Sequence, residues 1–190
     1  MATHRVIVQE LTSVDGFVAG PSGGLEFFDA VSDYSEVDQD NLSLLGNVDT
    51  ILLGRETYWM FVEYWPTAEG EPVAEAVNTI PKIVFSSRLD SAPWGRWEPA
   101  RVLNSSAVDH VRRLRREPGE NIMIWPSISL AQSLLGAGLV DEIQLRVVPL
   151  VLGSGRSLVT ADTGGCNLDL LEAKPYTSGM VSLRYAVARS

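Results

Sequence analysis

The sequence predicts an α/β fold, a mixed sheet with helices on both faces. Three observations predict it. Short β-branched runs alternate with helical stretches across residues 5–151. The tail, residues 168–188, reads as two strands around a turn at Thr177-Ser178-Gly179, a C-terminal hairpin. Three apolar runs end in polar turns that open helices: Gly54-Arg55-Glu56-Thr57, Ser86-Ser87-Arg88 and Ser127-Ile128-Ser129. Ligands of open α/β sheets bind outside the carboxyl ends of strands, so these turns mark one functional edge. The chain has 190 residues, 45% hydrophobic and 21% charged, which suits one domain over residues 1–190 with a sizeable core.

The elements follow in order. Residues 5–11 are β-branched and partly alternating, a first strand. Residues 12–24 hold Asp15-Gly16, Gly20-Pro21 and Gly23-Gly24, a long loop of the kind that carries function. Residues 25–31 open a short helix with Glu26 in its first turn, and residues 35–46 form a helix closed by Gly46. Residues 50–53 are a buried strand, followed by a helix over 56–62 and an acidic loop to Glu71. Strands follow at 81–85 and 101–103, then a helix to Arg116 capped by Ser105 or Ser106. A strand over 121–125 leads into a helix over 130–135, and residues 141–151 form a long strand.

The stretch from Val48 to Tyr58 organises the rest. A strand stops at Gly54, and a fixed cation (Arg55) and a hydroxyl (Thr57) stand where a helix begins. A helix start presents unpaired N–H groups and the positive dipole end, so it favours anions. The same residues also fit a plain strand end with a solvated Arg55. Three such turns on one edge point to an extended phosphorylated ligand such as a dinucleotide. There is no G-x-G-x-x-G fingerprint, so a standard Rossmann site is not supported.

Composition excludes other classes. The net charge is −9 with Lys and Arg at 15, which argues against general nucleic-acid binding; Arg112, Arg113, Arg115 and Arg116 read as a solvated helix. Cys166 is the lone cysteine, which fits a reducing cytoplasm and no internal disulfide. With only His4 and His110 besides, no metal cluster is expected. No signal peptide is read at the N-terminus, and no apolar run approaches the ~20 residues that cross a bilayer.

The segments SVDGFVAG, ILLGRETY, KIVFSSRL, IMIWPSISL and GLVDEIQLRVVPLVLGSGRSL, in that order, resemble the dihydrofolate-reductase-like superfamily. Within it they are most similar to the reductase domain of riboflavin-biosynthesis deaminase–reductases. The resemblance covers nearly the whole chain. It implies a mostly parallel sheet and an NADPH cofactor. By position, Gly54, Arg55 and Thr57 would hold its phosphates, and Ser86, Ser87 and Arg88 its adenosine end with the 2′-phosphate. Trp125, Pro126, Ser127, Ile128, Ser129 and Leu130 would pass under the pyrophosphate. The loop from Asp15 to Gly20 would close over the nicotinamide, and Glu26 would fall near the residue that dihydrofolate reductases use for protonation.

The expected function is therefore NADPH-dependent hydride transfer to a small, flat, unsaturated substrate of pterin- or pyrimidine-like type. Glu26 is the candidate proton source and Asp15 its competitor, although Asp15 also fits an Asp-Gly turn and Glu26 a first-turn helix acid. Phe17 stands where the riboflavin reductases carry a lysine, so an apolar or aromatic substrate is expected there. Tyr58 and Trp65 are candidates for the pocket wall or for the core. Pro126 stands where the family has glycine and removes one N–H donor; a cis bond beside it, before Ser127 above all, is expected to keep the turn tight. The alternative function is a non-catalytic protein that binds NADPH or another small ligand. A homodimer is expected, from the apolar strand over 141–151 and from Leu168, Leu170 and Leu171 in the tail.

Overall fold

β1 (Arg5–Ser13) explains the plan of the molecule, because it is buried on both faces: Val6, Ile7, Val8, Gln9 and Glu10 are each at most 2% exposed. Such a strand lies in the middle of a sheet covered on both sides. The computed structural model describes residues 4–23 and 27–188. After β1 come β2 (Phe17–Ala19), α1 (Ser35–Leu45), β3 (Val48–Gly54), α2 (Arg55–Tyr64) and α3 (Ala74–Thr79). Then follow β4 (Lys82–Phe85), β5 (Ala92–Trp94), β6 (Trp97–Leu103), α4 (Ala107–Leu114), β7 (Asn121–Ile124) and α5 (Ile128–Gly136). The chain closes with β8 (Glu142–Val148), β9 (Arg156–Ser157), β10 (Leu168–Pro175) and β11 (Val181–Val187).

Nine strands make one sheet in the order β10-β11-β8-β1-β7-β3-β4-β6-β5, and β2 pairs with β9 apart from it. The run from β8 to β6 is parallel throughout, while β5, β11 and β10 are antiparallel additions at the edges. One face is closed by α4 and α5, whose Val111, Leu130, Ala131 and Leu134 meet Val6, Val8, Leu52 and Ile124. On the other face Tyr58 and Phe61 of α2 and Val77 of α3 cover Ile51, Leu53, Val84 and Met123. α1 lies over β8 and the tail, with Val37 beside Val148, Tyr176 and Met180. The mixed, mostly parallel sheet with helices on both faces and a terminal antiparallel pair is thus as the sequence indicates.

Several boundaries differ for physical reasons. The loop over 12–24 is shorter than expected, because β1 continues to Ser13 and β2 forms inside the loop by pairing with β9. Residues 27–30 are turns rather than part of a helix, and the rest of the segment expected as helix includes residues 25–26, outside the described residues. The strand over 141–151 spans only Glu142–Val148 and is internal, paired with β1 and β11. It therefore offers no free edge; the exposed leucines Leu168, Leu170 and Leu171 lie on β10, the last strand of the sheet. The arginines in and after α4 are not simply solvated: Arg115, its C-cap, pairs with Asp141 at 2.7 Å and bonds the Leu139 carbonyl at 3.1 Å.

The loop between α4 and β7 closes on His4. The buried His4 ring sits 2.9 Å from the Leu114 carbonyl and 3.0 Å from the Asp49 carboxylate, which also accepts from the Glu120 N–H at 2.9 Å. Gly119 lies so close to this ring that any Cβ there would overlap it.

Candidate functional site

The carboxyl ends of β1, β7 and β3 lie side by side, and two helices begin there. α2 starts at Arg55 immediately after β3, with Gly54 as its N-cap; α5 starts at Ile128, with Ser127 as its N-cap. Neither start has a side-chain cap, so the first-turn N–H groups of both helices point outward without a side-chain partner. Gly54 has φ −81° and ψ 165°, ordinary extended backbone, and a Cβ there would meet the Ser127 hydroxyl at 3.6 Å, a normal contact. What the site uses of Gly54 is its N–H, not its φ.

A relay of hydroxyls ties the two helix starts together. The Gly54 N–H donates to Ser127 Oγ at 2.9 Å, Ser127 Oγ donates to Thr57 Oγ1 at 2.7 Å, and Thr57 Oγ1 donates to the Pro126 carbonyl at 2.6 Å. Ser127 is 3% exposed and Thr57 9%. Every peptide bond among the described residues is trans, so both bonds beside Pro126 are trans and the expected cis turn is corrected. The relay gives the reason: Ser127 (φ −141°, ψ 84°) turns inward, and Thr57 holds the Pro126 carbonyl, so the chain passes without a cis bond.

Beneath Ser127 lies a residue that the sequence reading missed. Glu10, on β1, accepts a hydrogen bond from the Ser127 backbone N–H, and its Oε1 is buried without a partner. Burial pushes its carboxyl up to about 8, against the opposing effect of that N–H. Glu10 is thus a neutral acid at pH 7 in the middle of the site. Asp38, half-buried on α1, is also raised, first by burial and then by the charges of Glu71 and Asp33.

The other predicted residues fall as follows. Arg55 stands at the rim of α2, beside the exposed Glu56. Ser86, Ser87 and Phe85 join Leu103, Asn104, Ser105 and Ser106 around an open cleft of about 450 Å³ between the ends of β4 and β6. Ser86 orders it by donating its N–H to the Leu103 carbonyl at 3.1 Å and accepting from the Arg88 N–H at 3.0 Å; Arg88 itself is exposed. Ile128 is half-buried, Ser129 exposed, and Leu130 belongs to the core. Trp125 and Trp65 sit together, ring centroids 6.2 Å apart, with Phe61 edge-on to both. Phe17 lies on β2, its N–H bonded to Ser13 Oγ at 3.0 Å. Glu26 lies outside the described residues.

Two placements are corrected. Tyr58 is fully buried, donates to the Pro93 carbonyl at 2.9 Å and lies against Trp94, so it belongs to the core and cannot line a pocket. Asp15 is held by loop backbone: it accepts from the Leu152 N–H at 3.1 Å and the Gly153 N–H at 2.7 Å. A hydrogen bond from Ser13 and these N–H groups lower its pKa, so it stays ionised and suits a loop clasp rather than a proton donor. The clasp joins a close crossing, since a Cβ on Gly155 would overlap the Ala19 carbonyl.

Comparison with known proteins agrees with this fold. The chain is 28% identical over 187 residues to the uncharacterized protein YyaP of Bacillus subtilis (strain 168), covering 96% of this chain and 94% of the relative. In fold it is similar to a putative riboflavin biosynthesis protein from Shewanella sp. PV-4 (TM-score 0.78, 22% identity, 97% and 99% of the two chains). It is also similar to the dihydrofolate reductase from Enterococcus faecalis complexed with NADP(H) and RAB-propyl (TM-score 0.61, 10% identity, 99% of each chain). Residues 4–182 match the RibD C-terminal domain, and the chain belongs to that family.

Proposed function

We propose that this protein is an NADPH-dependent reductase of a small, flat, unsaturated substrate of pterin- or pyrimidine-like type. The observation that carries the reading is the pair of uncapped helix starts, α2 and α5, locked side by side by the Gly54–Ser127–Thr57 relay with Arg55 at their rim. Two converging sets of N–H groups beside a guanidinium suit a pyrophosphate. The residues present fit the cofactor at its other end too, because the cleft bounded by Ser86, Ser87 and Ser106 opens beside Arg88 with room for an adenosine and its 2′-phosphate.

NADPH, when bound, supplies the hydride. The chain's own residues bind and orient. The first-turn N–H groups of Ile128, Ser129 and Leu130 face the pyrophosphate; the Ser127 N–H is taken by Glu10, and Pro126 has none. The loop from Asp15 to Gly20, clasped by Asp15, covers the nicotinamide end, and Phe17 presents a flat apolar face to the substrate. Glu26, or water it orders, is the proton source.

We expect NADPH to bind more tightly than NADH in a titration by quenching of tryptophan fluorescence; equal affinity would sink the reading. Arg55→Ala is expected to lose about 1.5–3 kcal/mol of NADPH binding, roughly 10- to 150-fold. Thermal stability should hardly change, since the ion pair that Arg55 makes among the described residues is with an exposed glutamate. The trans path at Pro126 favours a second reading, a ligand-binding protein without turnover. NADPH oxidation with a panel of pterins, pyrimidines and enones separates the two, tight binding without oxidation supporting the second.

A homodimer is expected as well, now through β10. This terminal strand exposes Leu168, Leu170 and Leu171 beside its open edge. Light scattering that gives the 20.7 kDa of one chain at micromolar concentration would contradict it.

A further inference from the structure

The carboxyl of Glu10 is used by no step above, yet it is 2% exposed and sits directly behind the N-cap of α5. Its carboxyl faces the Ser127 N–H, and its Oε1 is buried without a hydrogen-bond partner. The seam is continuous: Glu10 fixes the Ser127 backbone, the Ser127 hydroxyl receives the Gly54 N–H and reaches Thr57, and Thr57 holds the Pro126 carbonyl. A buried acid in contact with a helix start has two opposite effects, depending on its proton. Neutral, it orients Ser127 and adds no charge. Ionised, it sets a negative charge behind the N–H groups that would receive an anion.

We propose that Glu10 is a positioning residue of the anion site at the starts of α2 and α5, and that the site takes up a phosphoryl group only while this carboxyl carries its proton. The proposal rests on the reading of these helix starts as the pyrophosphate site. The surroundings leave Glu10 as the group that decides. α5 holds no charged residue. On β8 the strand partner of Glu10 is Leu145, while Glu142, Gln144 and Arg146 share the opposite face, where Gln144 pairs with Gln9 and Arg146 reaches Asn41 of α1. On α2 the charged groups are Arg55 and Glu56, paired with each other at the rim, and Glu63, exposed in the last turn; β9 contributes Arg156, and Asp15 belongs to the loop clasp. None of them figures among the causes that shift Glu10, which are burial and the Ser127 N–H.

The test compares wild type with Glu10→Gln, which keeps the shape and an acceptor for Ser127 but has no proton to lose. ADP and NADPH are titrated in parallel at about pH 7.5 and about pH 9.5, where neither phosphate group changes ionisation. For wild type, affinity for both probes should fall by roughly tenfold or more at the higher pH. For Glu10→Gln it should stay within about twofold of the wild-type value at the lower pH. A wild type that binds equally at both pH values, or a variant that weakens in step with wild type, overturns the proposal and leaves the cofactor reading standing. Binding of ADP with the expected pH dependence, but no binding of NADPH, upholds the proposal and removes the cofactor reading. Binding of neither probe at the lower pH overturns both. Should Glu10→Gln fold poorly, Glu10→Leu, which also lacks charge, serves the same comparison through its pH profile.

Discussion

Glu10→Gln should make the fold more stable by about 3 kcal/mol at neutral pH. The sign follows from the proton. In the folded state burial holds the Glu10 carboxyl protonated up to about 8, whereas its ordinary value is 4.5. Above the lower value the unfolded chain releases a proton that the folded chain keeps. The contribution of Glu10 to wild-type stability is therefore greatest below about pH 4.5 and declines with rising pH until the folded carboxyl ionises near 8. Glutamine has no such dependence, and its amide oxygen still accepts from the Ser127 N–H. Denaturant unfolding should give nearly equal stabilities at about pH 4 and a widening gain for the variant up to about pH 8. In melting temperature the gain at neutral pH corresponds to about 6–12 °C for a chain of this size. A variant that is no more stable than wild type at neutral pH would show that Glu10 does not sit buried and protonated.

Gly119→Ala should act in the opposite direction and as strongly. A Cβ at this position would overlap the His4 ring, and that ring cannot yield without leaving the Leu114 carbonyl and the Asp49 carboxylate. The backbone of Gly119 is not in the left-handed region, so the expected damage is steric. Overpacking together with the loss of buried hydrogen bonds should lower stability by about 3 kcal/mol or more. His4→Ala/Gly119→Ala should be less destabilised than the two single losses combined, because the ring that clashes is gone. Strict additivity in chemical unfolding would mean that His4 is not what Gly119 makes room for.

The legible part of the site was its chain of turns. Gly54-Arg55-Glu56-Thr57 and Pro126-Ser127-Ile128-Ser129 each join a β-branched run to a helix, and that pattern is local enough to be read from one sequence. Their meeting is not local: Thr57 and Ser127 are 70 residues apart and touch through hydroxyls. Glu10 was hidden by its context. In residues 5–11 it reads as a polar position on an alternating strand, whereas β1 is covered on both faces, so alternation carries no information about exposure. Tyr58 misled in the reverse way: a tyrosine just after a binding turn resembles a pocket wall, but as the fourth residue of α2 it faces the sheet. α3, at six residues, and β5, at three with a proline inside, are too short to show a period, and tertiary contacts with Trp94 and the Trp65 carbonyl hold them instead.

The central place of β1 bears on how the chain is made. Its neighbours on the two sides, β7 and β8, come from far along the sequence; Gln9 bonds Gln144 across 135 residues. Translated in order, β1 leaves the ribosome well before either flank, β7 or β8, has been made, a wait of roughly ten seconds or more. Throughout it the strand is an apolar ribbon with two open edges. Glu10, unfolded and below its folded ionisation range, then carries a full negative charge in the middle of that ribbon. A charge in the middle of an apolar ribbon disfavours edge-to-edge association, and burial under α5 between β7 and β8 is what favours its neutral form.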